Sequence, residues 1–315
     1  MATVLERVPS SGGFSRVARQ SYRLVADVPS IPLLMVAVLA FAAVFAPVLA
    51  PHGKLDPVKP TPGQCQAKFG MANCPYVDNV PPFWARGGTF DTPLGTDFLG
   101  RDVLSRLMYG AQISLVVALT GTLFAGAIGT LLGVLAGYMG KWWDQVIMRI
   151  TDAWLTLPSL VFAILLSSVR GPGVWNVVLI LALVFWSRYS RAVRGEVLAL
   201  RERDFVKLAE INGIGKLTII RRHLIPNVMN TVMVLFSLQV GVAVIIEASL
   251  SFLGVGVPPP EPSWGLMMAQ ERDSLMDGKW WLAVFPGICI TMLVLSANML
   301  GDWLRVRLDP QLRNR

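Results

Sequence analysis

ERDFVKLAEINGIGKLTIIRRHLIPN, residues Glu202 to Asn227, is the longest polar interruption between apolar spans in the second half of the chain. Asp204 can cap a short helix, and an acidic residue favours a helix start. Phe205, Leu208, Ala209 and Asn212 fall at i, i+3, i+4 and i+7, which places three apolar groups on one side of the helix. Gly213 and Gly215 break it. Leu217 and Ile220 begin a second short helix that carries Lys216, Arg221 and Arg222 on its other sides, and Pro226 marks the entry to the next apolar span. A helix–glycine–helix element with an apolar knob, hung between membrane spans, reads as a docking surface for a soluble protein. The plainer alternative is a basic loop with an interfacial helix.

The rest of the chain supplies the spans. Of 315 residues, 54% are hydrophobic and 15% charged. A soluble domain carries about 25% charged residues, so the composition is that of a membrane protein. Candidate spans are Ile31–Ala50, Ile113–Tyr138, Val146–Val169, Val174–Arg188, Val228–Gly254 and Leu282–Leu304. The fourth is short for a crossing of about 20 residues and is expected to extend into Arg191–Leu200. Six spans put both termini on one side. If that side is cytoplasmic, Lys and Arg number 19 inside and 9 outside, so both termini are expected in the cytoplasm. The same bias explains the net charge of +8 without nucleic acid. The first apolar run lacks an A-x-A cleavage site and reads as a retained span behind a cytoplasmic tail, residues 1–30. Residues 305–315 form the other cytoplasmic tail.

Residues 51–96 form an external loop with eight prolines, which exclude regular helix. Cys65 and Cys74 lie in it; their spacing can close a disulfide in an oxidising compartment, and two free thiols are the alternative. Cys289 reads as filler in the last span. Val103, Leu104, Leu107 and Met108 share a helical side, which predicts an interfacial elbow helix before the second span, within an extracytoplasmic segment 51–110. Ala125, Gly129, Gly133 and Gly137 recur at i+4 and form a row that lets another helix approach closely. Pro158 is expected to kink the third span. Arg188, Arg191 and Arg194 follow at i+3 and can reach lipid phosphates or the acidic residues of a partner. Glu247 sits inside apolar sequence, where an ionisable residue is expensive; it either lines a pathway or pairs within the fold. Trp264, Trp280 and Trp281 read as boundary anchors.

Several of these stretches resemble one family. Leu208-Ala209, Gly213 and Pro226 fall at the spacing of the "EAA" loop of binding-protein-dependent ABC importer permeases, with Lys207 in place of the usual Glu. TPLGTDFLGRDVLSRLMYGAQISL, from Thr92 to Leu115, resembles the signature of the dipeptide/oligopeptide-type permeases, as do EASLSFLG from Glu247 and the terminal run at Leu300–Pro310. The resemblance covers residues 30–312. It implies an all-α integral membrane protein with six transmembrane helices, a type I ABC importer-like permease fold with a core at 111–304 and cytoplasmic coupling helices. It further implies a homologous second permease, two cytoplasmic ABC ATPase subunits that bind ATP and Mg, an extracytoplasmic substrate-binding protein, and a bacterial inner membrane. Phe205, Leu208 and Ala209 would fill a groove on the ATPase, Gly213 would supply the turn, and Lys207 and Glu210 would lie on the rim. The substrate would be a di- or oligopeptide, with glutathione, nickel complexes or opines as alternatives. The Pro-rich loop would contact the binding protein or gate the entrance.

No residue set makes a catalytic site or a metal site. His52 and His223 are the only histidines. Gly215-Lys216-Leu217-Thr218 fails as a phosphate loop, because Ser or Thr must follow the Lys directly and Glu210 stands where the first glycine is required. Energy must therefore come from another chain. A stand-alone secondary transporter fits less well, because intramembrane charge is sparse and no inverted repeat is visible; a membrane scaffold is the third reading.

Overall fold

Apolar runs of this length leave the backbone one way to satisfy its polar groups in lipid, and the computed structural model is helical throughout its spans. It describes residues 29–60, 74 and 76–308. The tail at 1–28, Cys65 and the residues from 309 onward lie outside the described residues. α1 (Ser30–Val44) and a short continuation, α2 (Ala46–Leu49), make up the first apolar run. α3 (Val103–Met139) has 37 residues. At 1.5 Å per residue it is about 55 Å long, well beyond a hydrocarbon core of about 30 Å. α4 (Lys141–Leu155) and α5 (Ser159–Arg170) follow, then α6 (Val174–Arg201). α7 (Asp204–Ile211) and α8 (Lys216–Ile219) occupy the polar interruption. A π-helical turn at Ile220–Leu224 joins α8 to α9 (Ile225–Phe252). Two short helices, α10 (Trp264–Gln270) and α11 (Arg272–Met276), precede α12 (Trp281–Leu308).

Four helical runs among the described residues are long and apolar enough to cross a membrane: α3, α6, Lys216–Phe252 and α12. α4 and α5 are long and apolar enough only as a pair, and they meet at a 93° bend at Pro158. The expected kink is thus a full break, because Pro158 cannot donate a backbone hydrogen bond and starts a new helix. α1 is apolar but shorter. The arrangement is consistent with the six expected spans.

The small-residue row on α3 meets α6. A Cβ on Gly129 would lie 2.3 Å from the Trp186 carbonyl oxygen, and one on Gly133 would lie 2.7 Å from that of Ser190. The two helices therefore touch through backbone, which is what the i+4 row requires. α9 packs on α3 and α12, and α1 lies against α12 and α3. One apolar core runs through these spans, with Phe185, Leu181 and Leu250 fully buried in it.

The chain sorts into two ends. Gln112 Nε2 donates to the Ala43 carbonyl at 2.7 Å, and Gly173 N–H donates to the Gly256 carbonyl at 3.0 Å. Segments 51–60, 76–102, 171–173 and 254–281 consequently gather at one end, and α7 and α8 stand at the other.

Three expectations change. The elbow is not a separate interfacial helix: Val103 and Leu107 are buried, and the chain runs without a break from Val103 into the second span, capped by the Asp102 carboxylate on Ser105 N–H at 2.9 Å. Its apolar side is taken by protein rather than by lipid. Trp264 is not a boundary anchor. It is fully buried, and its indole N–H donates to the Leu107 carbonyl at 3.1 Å over Gly110. The second short helix is not isolated either, since it leads through the π turn into α9.

Candidate functional site

α7 is held to the bundle by its inner side. Val206 and Ala209 are buried in a second apolar cluster with Tyr138 of α3, Val193 and Val197 of α6, and Ile219, Leu224 and Val228. The Tyr138 hydroxyl donates to Glu210 Oε1 at 3.0 Å. The C-terminus closes in a Schellman turn: Gly213 has φ +72°, its N–H donates to the Glu210 carbonyl, and Ile214 N–H donates to the Ala209 carbonyl at 3.1 Å. A left-handed residue is required there, and glycine adopts that conformation without a Cβ penalty.

The outer side is apolar and open. Phe205 is 41% exposed, Leu208 57% and Ile211 80%. Leu217 of α8 is exposed as well. Ala209 therefore does not belong to the knob, at only 5% exposure. An i+4 step from Phe205 turns past the exposed side, whereas the i+3 and i+6 steps stay on it. Ile211, which the sequence reading missed, was readable from that spacing. Asp204 does not cap the helix: Arg203 occupies the N-cap without a side-chain bond, and Asp204 lies in the first turn. Lys207 lies 3.0 Å from Glu202 Oε2, and its hydrogen bond holds that carboxyl below its ordinary value. Glu210 points back to Tyr138, so the rim residues serve the helix itself.

The arginines above α7 are also committed within the chain. Arg194 makes a two-pronged contact with Asp144 at 2.5 and 2.7 Å, and Arg191 pairs with Asp152. Arg188 donates to Ser159 Oγ at 3.0 Å and to Gln239 Oε1 at 3.2 Å. They bind α6 to α4, α5 and α9.

At the opposite end a buried charge network braces the loop layer. Asp97 receives Arg101 at 2.7 Å and Arg106 at 2.5 Å, and all three residues are buried. Arg106 also donates to Gln270 Oε1 at 2.8 Å, and Phe98 N–H donates to Glu271 Oε1 at 3.3 Å. Burial pushes the Glu271 carboxyl above its ordinary value, against hydrogen bonds from Ser274 and the Phe98 N–H. Lys54 pairs with Glu261 at 2.8 Å. Cys74 is disulfide-bonded, and Cys65 lies outside the described residues. No group of three or more His, Cys, Asp or Glu among the described residues is placed to hold a metal ion.

Glu247 is fully buried and lines no surface of the chain. Its carboxylate accepts from Ser114 Oγ at 3.0 Å, from Ser251 Oγ at 2.9 Å and from Ser263. Ser251 Oγ in turn accepts from Val257 N–H at 3.1 Å. The pathway expectation gives way to pairing within the fold: three hydroxyls from three segments supply the hydrogen bonds that a carboxylate at that depth requires.

Crossing helices, a braced loop layer at one end and a tethered amphipathic helix at the other define a polytopic membrane protein of the permease class. The chain belongs to the binding-protein-dependent transport system inner membrane component family, which it matches over residues 129–314. It is similar to the di/tripeptide transport system permease protein DppC of Pseudomonas aeruginosa (strain UCBPP-PA14), with 38% identity over 282 residues, 90% of this chain and 88% of that protein. A putative peptide transport system permease protein of Brucella suis biovar 1 is 41% identical over 219 residues, 70% of this chain and 73% of that protein. The glutathione transport system permease protein GsiD of Pectobacterium atrosepticum is 40% identical over 221 residues, 70% and 73% of the two chains. The chain is thus a multi-pass permease subunit of an ABC importer, the membrane component and not the ATPase, and its family works with ATPase and substrate-binding partners.

Proposed function

We propose that this permease imports di- and oligopeptides and that α7 transmits the work of the ATPase. The carrying observation is the division of α7 into a buried side and an open apolar side. Leu208 and Ile211 are exposed, as is part of Phe205, whose ring also meets His223, while Val206, Ala209 and the Tyr138–Glu210 bond hold the helix to α3 and α6. A force applied to the open side passes into α3 and α6, two helices that touch through backbone. Closure of two ATPases around ATP and Mg would then move α3 and α6 with α7, and hydrolysis would reverse the motion. A second, homologous permease completes the pathway. Both termini and α7 face the cytoplasm, in line with the Lys and Arg bias, and the binding protein docks at the end that carries segments 76–102 and 254–281. The names of the similar permeases support a peptide as the solute, and the glutathione permease supports a small peptide-like molecule as the alternative in the same assembly.

Leu208→Asp is expected to leave the subunit in the membrane and to uncouple ATP hydrolysis from uptake. A loss of about 1.4 kcal/mol at the docking surface weakens association roughly tenfold. Ala209→Arg should instead lower the amount of folded subunit, because its Cβ faces the cluster under α7. Assembly, ATPase rate and uptake of labelled dipeptide, measured in proteoliposomes of the whole importer, separate the two. Normal coupled uptake by Leu208→Asp would sink the assignment, and competition by glutathione but not by dipeptides would replace the substrate.

A further inference from the structure

Residues 82–93 build a small, closed projection at the loop end. Phe83 N–H donates to the Pro93 carbonyl at 3.2 Å across its base. Inside it, Ala85 N–H reaches the Pro82 carbonyl at 2.8 Å and Gly88 N–H the Ala85 carbonyl at 3.0 Å. Gly87 has φ +90°, and a Cβ on Gly88 would lie 2.1 Å from the Pro82 carbonyl oxygen. The projection is therefore a shaped element rather than a slack connection.

Its tip is aromatic and uncovered. Phe90 is 81% exposed and stacks on Phe83 with centroids 5.0 Å apart. Trp84, 52% exposed, meets Phe83 edge-on at 5.0 Å. An aromatic cluster this open needs an occupant. The occupant is named by what the cluster continues into. Trp84 also contacts Phe285 at 6.2 Å, and Phe285 contacts Trp280 at 6.2 Å. Phe285 belongs to the first turns of α12, a membrane-crossing helix, and Trp280 stands directly before it. The tip thus lies beside the point where α12 enters the bilayer, at the depth where aromatic rings collect at a membrane–water boundary. Arg86, exposed on the same projection, makes no ion pair among the described residues and is free to meet a phosphate.

We propose that residues 83–90 form an interfacial wedge, with Phe83, Trp84 and Phe90 bedded among phospholipids of the leaflet at the loop end of α12. The wedge fixes the height of the loop layer relative to the bilayer, and its occupant is lipid rather than the substrate-binding protein. It rests on α12 crossing a membrane, and stands independently of the peptide and coupling readings.

The test places the photoreactive p-benzoylphenylalanine at Phe90 in the full chain within its native membrane. The position packs against little else, so the probe is expected to be tolerated. Illumination is expected to add the mass of one phospholipid to the chain. A cross-link to a polypeptide, whether binding protein or second permease, would overturn the wedge, as would illumination that yields no adduct, since the tip would then lie in water. A second measurement uses the importer in nanodiscs whose lipids carry bromine near the headgroup. Trp84→Phe is expected to remove part of the quenched tryptophan fluorescence, and an unchanged quenched fraction would contradict the proposal.

Discussion

Gly129→Leu is expected to abolish accumulation of folded protein in the membrane. A Cβ at this position would lie 2.3 Å from the Trp186 carbonyl oxygen and 2.5 Å from Tyr189 Cβ. Neither neighbour is a movable side-chain tip, so α3 and α6 would have to part. The parting would spread along the row, because Gly121, Gly133 and Gly137 meet Leu181, Ser190 and Val197 at comparable distances. In lipid, association of apolar helices gains little from water exclusion and rests on close packing. Overpacking a soluble core costs about 1–3 kcal/mol, and a clash with backbone lies at or beyond the top of that range. The check is the amount of subunit in membranes and its elution as a single species in mild detergent. Gly195→Ala is the matched control: a Cβ there meets nothing within 4 Å. Alanine should be neutral or raise stability by about 0.8–1.0 kcal/mol through helix propensity. Wild-type levels of Gly129→Leu would show that α3 and α6 do not meet through this row.

Asp97→Asn should be the most damaging change at the other end. Asp97 is the carboxylate shared by Arg101 and Arg106, and it also accepts the backbone N–H groups of Leu99 and Arg101 at 2.9 Å. The amide keeps the shape and removes the charge, leaving two buried guanidinium groups to face each other. Removing one partner of a buried ion pair costs about 3–5 kcal/mol. The loss should appear as a lower melting temperature in detergent and as faster proteolysis between residues 76 and 102. Because the charges are coupled, Arg106→Gln in the Asp97→Asn background should recover part of the loss, a non-additivity that a double-mutant cycle measures. Additive effects would mean that the network is incidental to stability.

These two sites differ in how far the sequence announced them. Strict i+4 spacing of Ala125, Gly129, Gly133 and Gly137 announces a close helix contact, because helical geometry puts such residues in one line. The partner of that line could not be read, since α6 begins 37 residues after the row ends, and sequence distance does not say which helix returns alongside. Asp97, Arg101 and Arg106 were visible only as a motif of the peptide-type permeases. Their closure onto Gln270 and Glu271 depends on segments more than 160 positions apart.

Composition, hydropathy and glycine placement by themselves determined that this is a helical membrane protein, roughly where it crosses, and that a helix breaks at Gly213–Gly215. They could do so because burying backbone in lipid, and the missing Cβ of glycine, act locally. Tertiary structure alone decided what each face meets. Periodicity could not tell that Glu247 finds three serines, that Trp264 is core, or that Arg191 and Arg194 close on Asp152 and Asp144. A helical face is defined by its own residues, but its neighbour is chosen by the packing of the whole bundle.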